Sequence, residues 1–126
     1  MKRDMELVRK LLLFFEAKPD QSAIENVEID GYDREAIGYH LILLYEADLI
    51  AAEPYVSKTS NRIIDVLPFR LTWEGHEFLA AARDDSVWFK AGSRVPSLAG
   101  DVPFTLLKDL LVHALRARAD GGAQGA

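Results

Sequence analysis

The chain of 126 residues contains no cysteine, which excludes thiolate nucleophiles, cysteine-ligated zinc and any disulfide framework, and accords with a reducing compartment. No apolar run approaches the roughly 20 residues that a membrane-spanning helix needs. The basic start leads into a charged amphipathic segment rather than a signal peptide, so a cytoplasmic protein is expected. Catalytic motifs are missing too: there is no Gly-x-Ser-x-Gly elbow and no glycine-rich phosphate loop. His76-Glu77 opens like a zinc-protease helix, but the second histidine would fall at Ala80. His40, His76 and His113 have no ligand spacing, and His40 and His76 are expected to be buried and hydrogen-bonded. Asp84 and Asp85 are neighbours, about 100° apart on a helix, and read as a turn or cap. These residues give no reason to expect an enzyme, a cofactor or a metal site.

The apolar content of 49% suffices for one domain with an accessory element. The net charge of -5 is unevenly spread: residues 21–50 carry one basic and seven acidic groups, whereas 51–73 carry three basic and two acidic. The acidity therefore falls on the stretch around which the chain is organised, Asp33 to Ile50. Asp33 can cap a helix there, Glu35 suits its first turn, and Ile37, Leu41 and Leu44 share one face. At Leu49 the pattern changes to extended chain. Leu49–Val56 and Arg62–Leu71, separated by the polar Ser57–Asn61, read as an antiparallel hairpin with Pro54 and Pro68 at strand ends or edges. The spacing thus predicts an α+β fold of the winged helix-turn-helix type, with the central helix third in order and the hairpin as wing.

Before it, Asp4 caps a helix to about Ala17 with Leu7, Val8, Leu11, Leu12 and Phe15 on one stripe, leaving Leu13 off the stripe. Lys2, Arg3, Arg9 and Lys10 form a basic cluster that reads either as phosphate contacts or as a solvated helix face. Glu25–Ile29 is expected to be a strand, and little room remains between Pro19 and Gly31 for a positioning helix. After the hairpin, Thr72 opens a helix to about Arg83, on which Trp73 and Phe78, together with Trp88 beyond it, are expected to be buried. The organisation that follows is a winged-helix-like domain over 1–91, a linker over 92–102, a C-terminal helix over 103–119 and a disordered tail over 120–126.

Several runs carry a likeness to known sequences: the opening Met-Lys-Arg-Asp-Met-Glu-Leu-Val-Arg-Lys, Gly31-Tyr32 with Ile37-Gly38-Tyr39-His40-Leu41, Glu46-Ala47-Asp48-Leu49-Ile50, and above all Leu71-Thr72-Trp73-Glu74-Gly75-His76. Over roughly residues 1–115 the chain resembles a family of small uncharacterised bacterial and prophage proteins, grouped under a domain of unknown function. The resemblance implies a winged-helix-like fold and a bacterial or phage setting, and brings no activity or catalytic residue with it. Lys90–Pro96 departs from the family, breaking with Gly92 and Pro96 where relatives continue a charged helix.

Two functional readings follow. In one the chain is a transcriptional regulator binding double-stranded DNA, with Lys2, Arg3, Arg34, Lys58 and Arg62 on phosphates. In the other the same scaffold is a protein-interaction adaptor. With Ile37, Leu41 and Leu44 inward, the 100° helical step turns Glu35, Tyr39, Ile42 and Glu46 outward, and base readers are normally Arg, Lys, Asn or Gln. Tyr39 and Ile42 are then the anchors. Leu106 and Leu110 lie on the wide apolar face of the C-terminal helix, which is expected to support a homodimer.

Overall fold

Asp4 stands in extended backbone immediately ahead of α1 (Met5–Ala17), and its carboxylate accepts from the amides of Glu6 and Leu7. Two otherwise orphaned donors are thereby satisfied, which fixes the start of the helix where the sequence places a cap. The computed structural model describes residues 1–85, 87–88 and 108–117. Within α1 the stripe Leu7, Val8, Leu11, Leu12 and Phe15 is buried together with Met5, and Leu13 is half-buried against the same core.

Arg9 departs from expectation. It is buried rather than part of a solvated cluster, because its guanidinium donates to the carbonyls of Ala82 and Arg83 and pairs with Asp85.

Residues 18–33 form neither helix nor strand. The strand expected over Glu25–Ile29 is absent, and no positioning helix takes its place, so the central helix is the second of the chain and not the third. The reason lies on the edge this segment would have joined. Ile24 donates its amide to the carbonyl of Pro68, but Pro68 has no N–H to return, and two residues earlier the amide of Val66 is held by the Asp65 carboxylate. A ladder cannot continue from one bond. Val27 is instead buried in the core, with the partly buried Ile24 and Ile29 packed against it, and the Lys18 ammonium ties the loop down through the carbonyls of Ser22 and Phe69.

The central helix, α2 (Arg34–Glu46), begins at Asp33, whose carboxylate accepts from the Ala36 amide. It buries Ile37, Leu41 and Leu44 as expected, and also His40. Asp48 ends it in the left-handed region at φ 59°, donating to Tyr45, and the chain turns straight into β1 (Ile50–Val56). β1 pairs antiparallel with β2 (Ile63–Leu71), Ile50 opposite Leu71 and Val56 opposite Ile63. Twice the register skips, leaving Phe69 and Ile64 as extra residues on β2. The connecting turn holds Ser57 to Arg62 by a backbone bond, with Asn61 at φ 58°.

Thr72 caps α3 (Trp73–Ala82), accepting from the Gly75 amide while its hydroxyl donates to the Asp48 carbonyl. That hydroxyl bond and the Thr72 amide bond to Leu49 join the end of α2, the start of β1 and the start of α3. Gly75 is required at the junction, since a Cβ there would lie 2.1 Å from the carbonyl oxygen of Leu49. The buried residues of α3 are Gly75, Phe78, Leu79, Ala81 and Ala82. Trp73 lies on the opposite side of the wheel and is 76% exposed, and His76 is exposed as well, so both were wrongly expected inside. Phe78 and Trp88 are buried as expected.

Residues 108–117 are helical and form α4, which seats Leu111 and Ala114 in the core and carries Lys108 to within 3.8 Å of Glu74. The linker over 92–102, residues 103–107 and 118–119 of the expected C-terminal helix, Leu106 among them, and the tail over 120–126 lie outside the described residues. The result is an α+β fold in which helices pack against an antiparallel hairpin, an arrangement compatible with a winged helix.

Candidate functional site

One side of α2 is buried in the core, and the outer side carries the residues considered for contact. Glu35 and Glu46 are exposed on it, while Tyr39 and Ile42 between them are half-buried. They are half-buried because the hairpin stands beside them. Between α2 and the start of β2 lies a hollow of about 550 Å³ walled by Tyr39, Ile42 and Leu43 on one side and by Arg62, Ile63 and Ile64 on the other, with Glu46 at the helix end. A smaller hollow of about 290 Å³ lies beyond Leu43 and Glu46, against Arg3, Met5 and Val8 of the N-terminal segment. The two share Leu43 and Glu46, so one continuous surface of mixed apolar and charged residues runs from the hairpin across α2 to the start of α1.

The floor of this surface is stiffly held. His40, on the buried side next to Tyr39, accepts the Asp4 amide at Nε2 (2.8 Å), and its Nδ1 lies 2.8 Å from the Ala36 carbonyl, to which it donates in the tautomer this pair requires. The Tyr39 ring meets the His40 ring edge to face at 5.5 Å. On the other wall, the register skip puts both isoleucines of Ile63-Ile64 at the hollow, although strict alternation would send them to opposite faces. Ile64 remains 54% exposed and Val56, opposite Ile63 on β1, 46%.

Two charges on this surface stand apart from the ion pairs. Among the described residues Glu46 and Arg62 have no ion-pair partner, and although they line the same hollow they do not pair with each other. Elsewhere Tyr32 shows how the acidic groups act on a neighbour: burial first, then the carboxylates of Asp4 and Glu6, raise its phenol above the usual value of 10. Lys10, exposed on α1, lies 5.4 Å over the same ring. No cluster of metal-binding side chains is present among the described residues.

The five basic residues considered for phosphate contact do not converge. Lys2 and Arg3 precede α1, and Arg62 and Lys58 belong to the hairpin and its turn. Arg34 begins α2 and borders a different hollow together with Glu28 and Asp30, about 18 Å along the helix from Glu46 at the 1.5 Å rise per residue. Arg3 and Arg62 flank Glu46 from its two sides. Of the residues considered for protein contact, Tyr39 and Ile42 lie together in the larger hollow, whereas Leu110 packs half-buried on its own core and Leu106 is outside the described residues. Sequence reasoning missed Leu43, Ile63 and Ile64. The doubled isoleucine, which breaks the two-residue period of a strand, was the available signal.

Among the described residues no helix is long and apolar enough to cross a membrane. No solved structure matches the chain. An uncharacterised protein of Haemophilus influenzae is 33% identical over 111 residues, a span covering 87% of this chain and 92% of that protein. The family described as "Hypothetical protein (DUF2513)" matches residues 2–100, and with most of the chain so covered, this protein belongs to that family of uncharacterised proteins.

Proposed function

We propose that the chain is a non-enzymatic protein-interaction module whose contact surface is the outer side of α2 together with the hairpin. The observation that supports this reading is the hollow itself. Where a winged helix that reads DNA would display Arg, Lys, Asn or Gln, α2 displays Tyr39 and Ile42 between Glu35 and Glu46. A carboxylate at each end of that face repels phosphate, and the apolar centre offers a duplex nothing to bind. The partner chemistry that fits is a folded polypeptide surface with one or two aliphatic side chains for the hollow, a cation for Glu46 and an anion for Arg62. Aromatic and aliphatic anchors of this kind dominate protein interfaces.

The test pairs two measurements. Titration against mixed genomic duplex fragments at low and moderate salt should give no salt-sensitive shift, and Lys58→Ala with Arg62→Ala should change nothing in it. Tyr39→Ser with Ile42→Ser should abolish binding of a partner identified by mass spectrometry and re-tested as a purified protein, while the circular dichroism of the variant stays that of the folded domain. A duplex shift that falls steeply with salt and disappears in the Lys58 and Arg62 variant would overturn the reading in favour of a DNA-binding regulator.

A further inference from the structure

We infer that the occupant of the α2–hairpin hollow is the same face of a second copy of this chain, related by a two-fold axis; the inference rests on the reading of that face as a protein-binding surface. An isologous interface must be complementary to itself, so each feature on it needs its counterpart on the same face. This face meets that condition in shape. Ile64, on the hairpin wall of the hollow, is 54% exposed, so that a copy turned through 180° brings its Ile64 toward the helix wall of the first. The condition is met in charge as well. Glu46 stands on the helix wall and Arg62 on the hairpin wall of one hollow, both unpaired among the described residues and not paired with each other. Under the two-fold operation each Glu46 faces the Arg62 of the other copy, twice over.

Two other routes to association are weaker on the same structure. Strand addition at the free edge of β2 is blocked where Pro68 lacks a donor and where Asp65 occupies the Val66 amide, so contact there has to be made by side chains. The C-terminal helix has already committed Leu111 and Ala114 to its own core, which leaves Leu115 as its exposed large apolar residue among those described.

Sedimentation of the full chain from low to high micromolar concentration should give a mass rising from 14.1 kDa toward twice that value. Glu46→Arg and Arg62→Glu, each alone, should weaken association by more than about tenfold, since symmetry makes each reversal count twice. Mixed in equal amounts, the two variants should form a heterodimer, because one then presents cations at both positions and the other presents carboxylates at both. The double variant should self-associate again. Ile64→Ser should dissociate the dimer at unchanged circular dichroism. A chain that stays monomeric at high micromolar concentration overturns the inference, as does a dimer indifferent to both reversals and to Ile64→Ser. If that monomer nevertheless loses a purified foreign partner on Ile42→Ser, the protein-binding reading stands and only the second copy falls; if it binds duplex instead, both fall.

Discussion

Replacing Arg9 by alanine should be among the most damaging single changes in the molecule outside the apolar core. Arg9 is only 7% exposed, with Nε donating to the Ala82 carbonyl at 2.6 Å and an Nη to Arg83 at 2.8 Å. The guanidinium therefore closes the C-terminal end of α3, where unsatisfied carbonyls and the helix dipole both favour a cation. It also lies 5.4 Å over the ring of Trp88, whose indole N–H donates to Glu6 at 2.7 Å. Two hydrogen bonds from a charged group, at about 1.5 kcal/mol each, and a cation–π contact of about 0.5–1 kcal/mol bring the loss to about 3–4 kcal/mol. The pair with Asp85 adds little, because that carboxylate is 77% exposed and such pairs contribute about 0–1 kcal/mol. Urea titration followed by far-ultraviolet circular dichroism measures the difference, with Asp85→Ala as the mild control. Arg9→Lys should recover only part of the loss, since an ammonium cannot reproduce the planar fork. A loss below about 1 kcal/mol for Arg9→Ala, or an Asp85→Ala loss equal to it, would refute the assignment of Arg9 as the cap of α3.

Gly75→Ala should cost about 3 kcal/mol or more, because the added methyl meets backbone, the Leu49 carbonyl oxygen at 2.1 Å, and neither element can yield without breaking the junction; an unchanged urea midpoint would show that the junction is loose. Trp73→Ala should change stability by no more than about 0.5 kcal/mol, and a loss near the ~3 kcal/mol of a buried aromatic would place that side chain inside. Spectrophotometric titration should show a tyrosine step above the ordinary value of 10, and Tyr32→Phe should remove it. The folded chain holds that phenol neutral, so its contribution to stability is fully present below pH 10 and fades as pH rises toward the raised value. An alkaline titration in which Tyr32→Phe removes no step above 10 would contradict the burial of Tyr32.

What the sequence made legible is what periodicity and capping encode. Asp4, Asp33 and Thr72 each cap the helix they were expected to cap, and the change of period at Leu49 marks β1 to within one residue. Three features were illegible because they depend on partners distant in the chain. Arg9 looks like a member of a solvated basic cluster until α3 comes to lie across it, 73 residues away in sequence. Glu25 to Ile29 has the composition of a strand, but whether it becomes one is decided by Pro68 and Asp65 on the edge it would join. Trp73 carries the apolar character of a core residue, yet the side of α3 that is buried is set by Gly75, where the helix must touch the Leu49 backbone. Of the candidate site, Tyr39 and Ile42 could be read from the helical wheel alone, while the opposite wall required the register skip at Ile64.

The missing positioning helix bears on function as well as on topology. In a helix-turn-helix the first helix crosses the phosphate backbone and holds the second in the groove, so loss of the first removes the orienting contact as well as some packing. Here residues 18–33 supply an acidic loop in its place, with Glu25, Glu28 and Asp30 beside or leading toward Arg34. The one cation at the start of α2 thus has carboxylates for neighbours, and the hairpin basics stand at the other end of the helix. A duplex laid along α2 would meet attraction only at the hairpin and repulsion over the rest, whereas a protein surface of alternating charge meets a match at both ends. On the proposed reading, the loop that stands in place of a helix turns the central face of this scaffold away from phosphate and toward polypeptide.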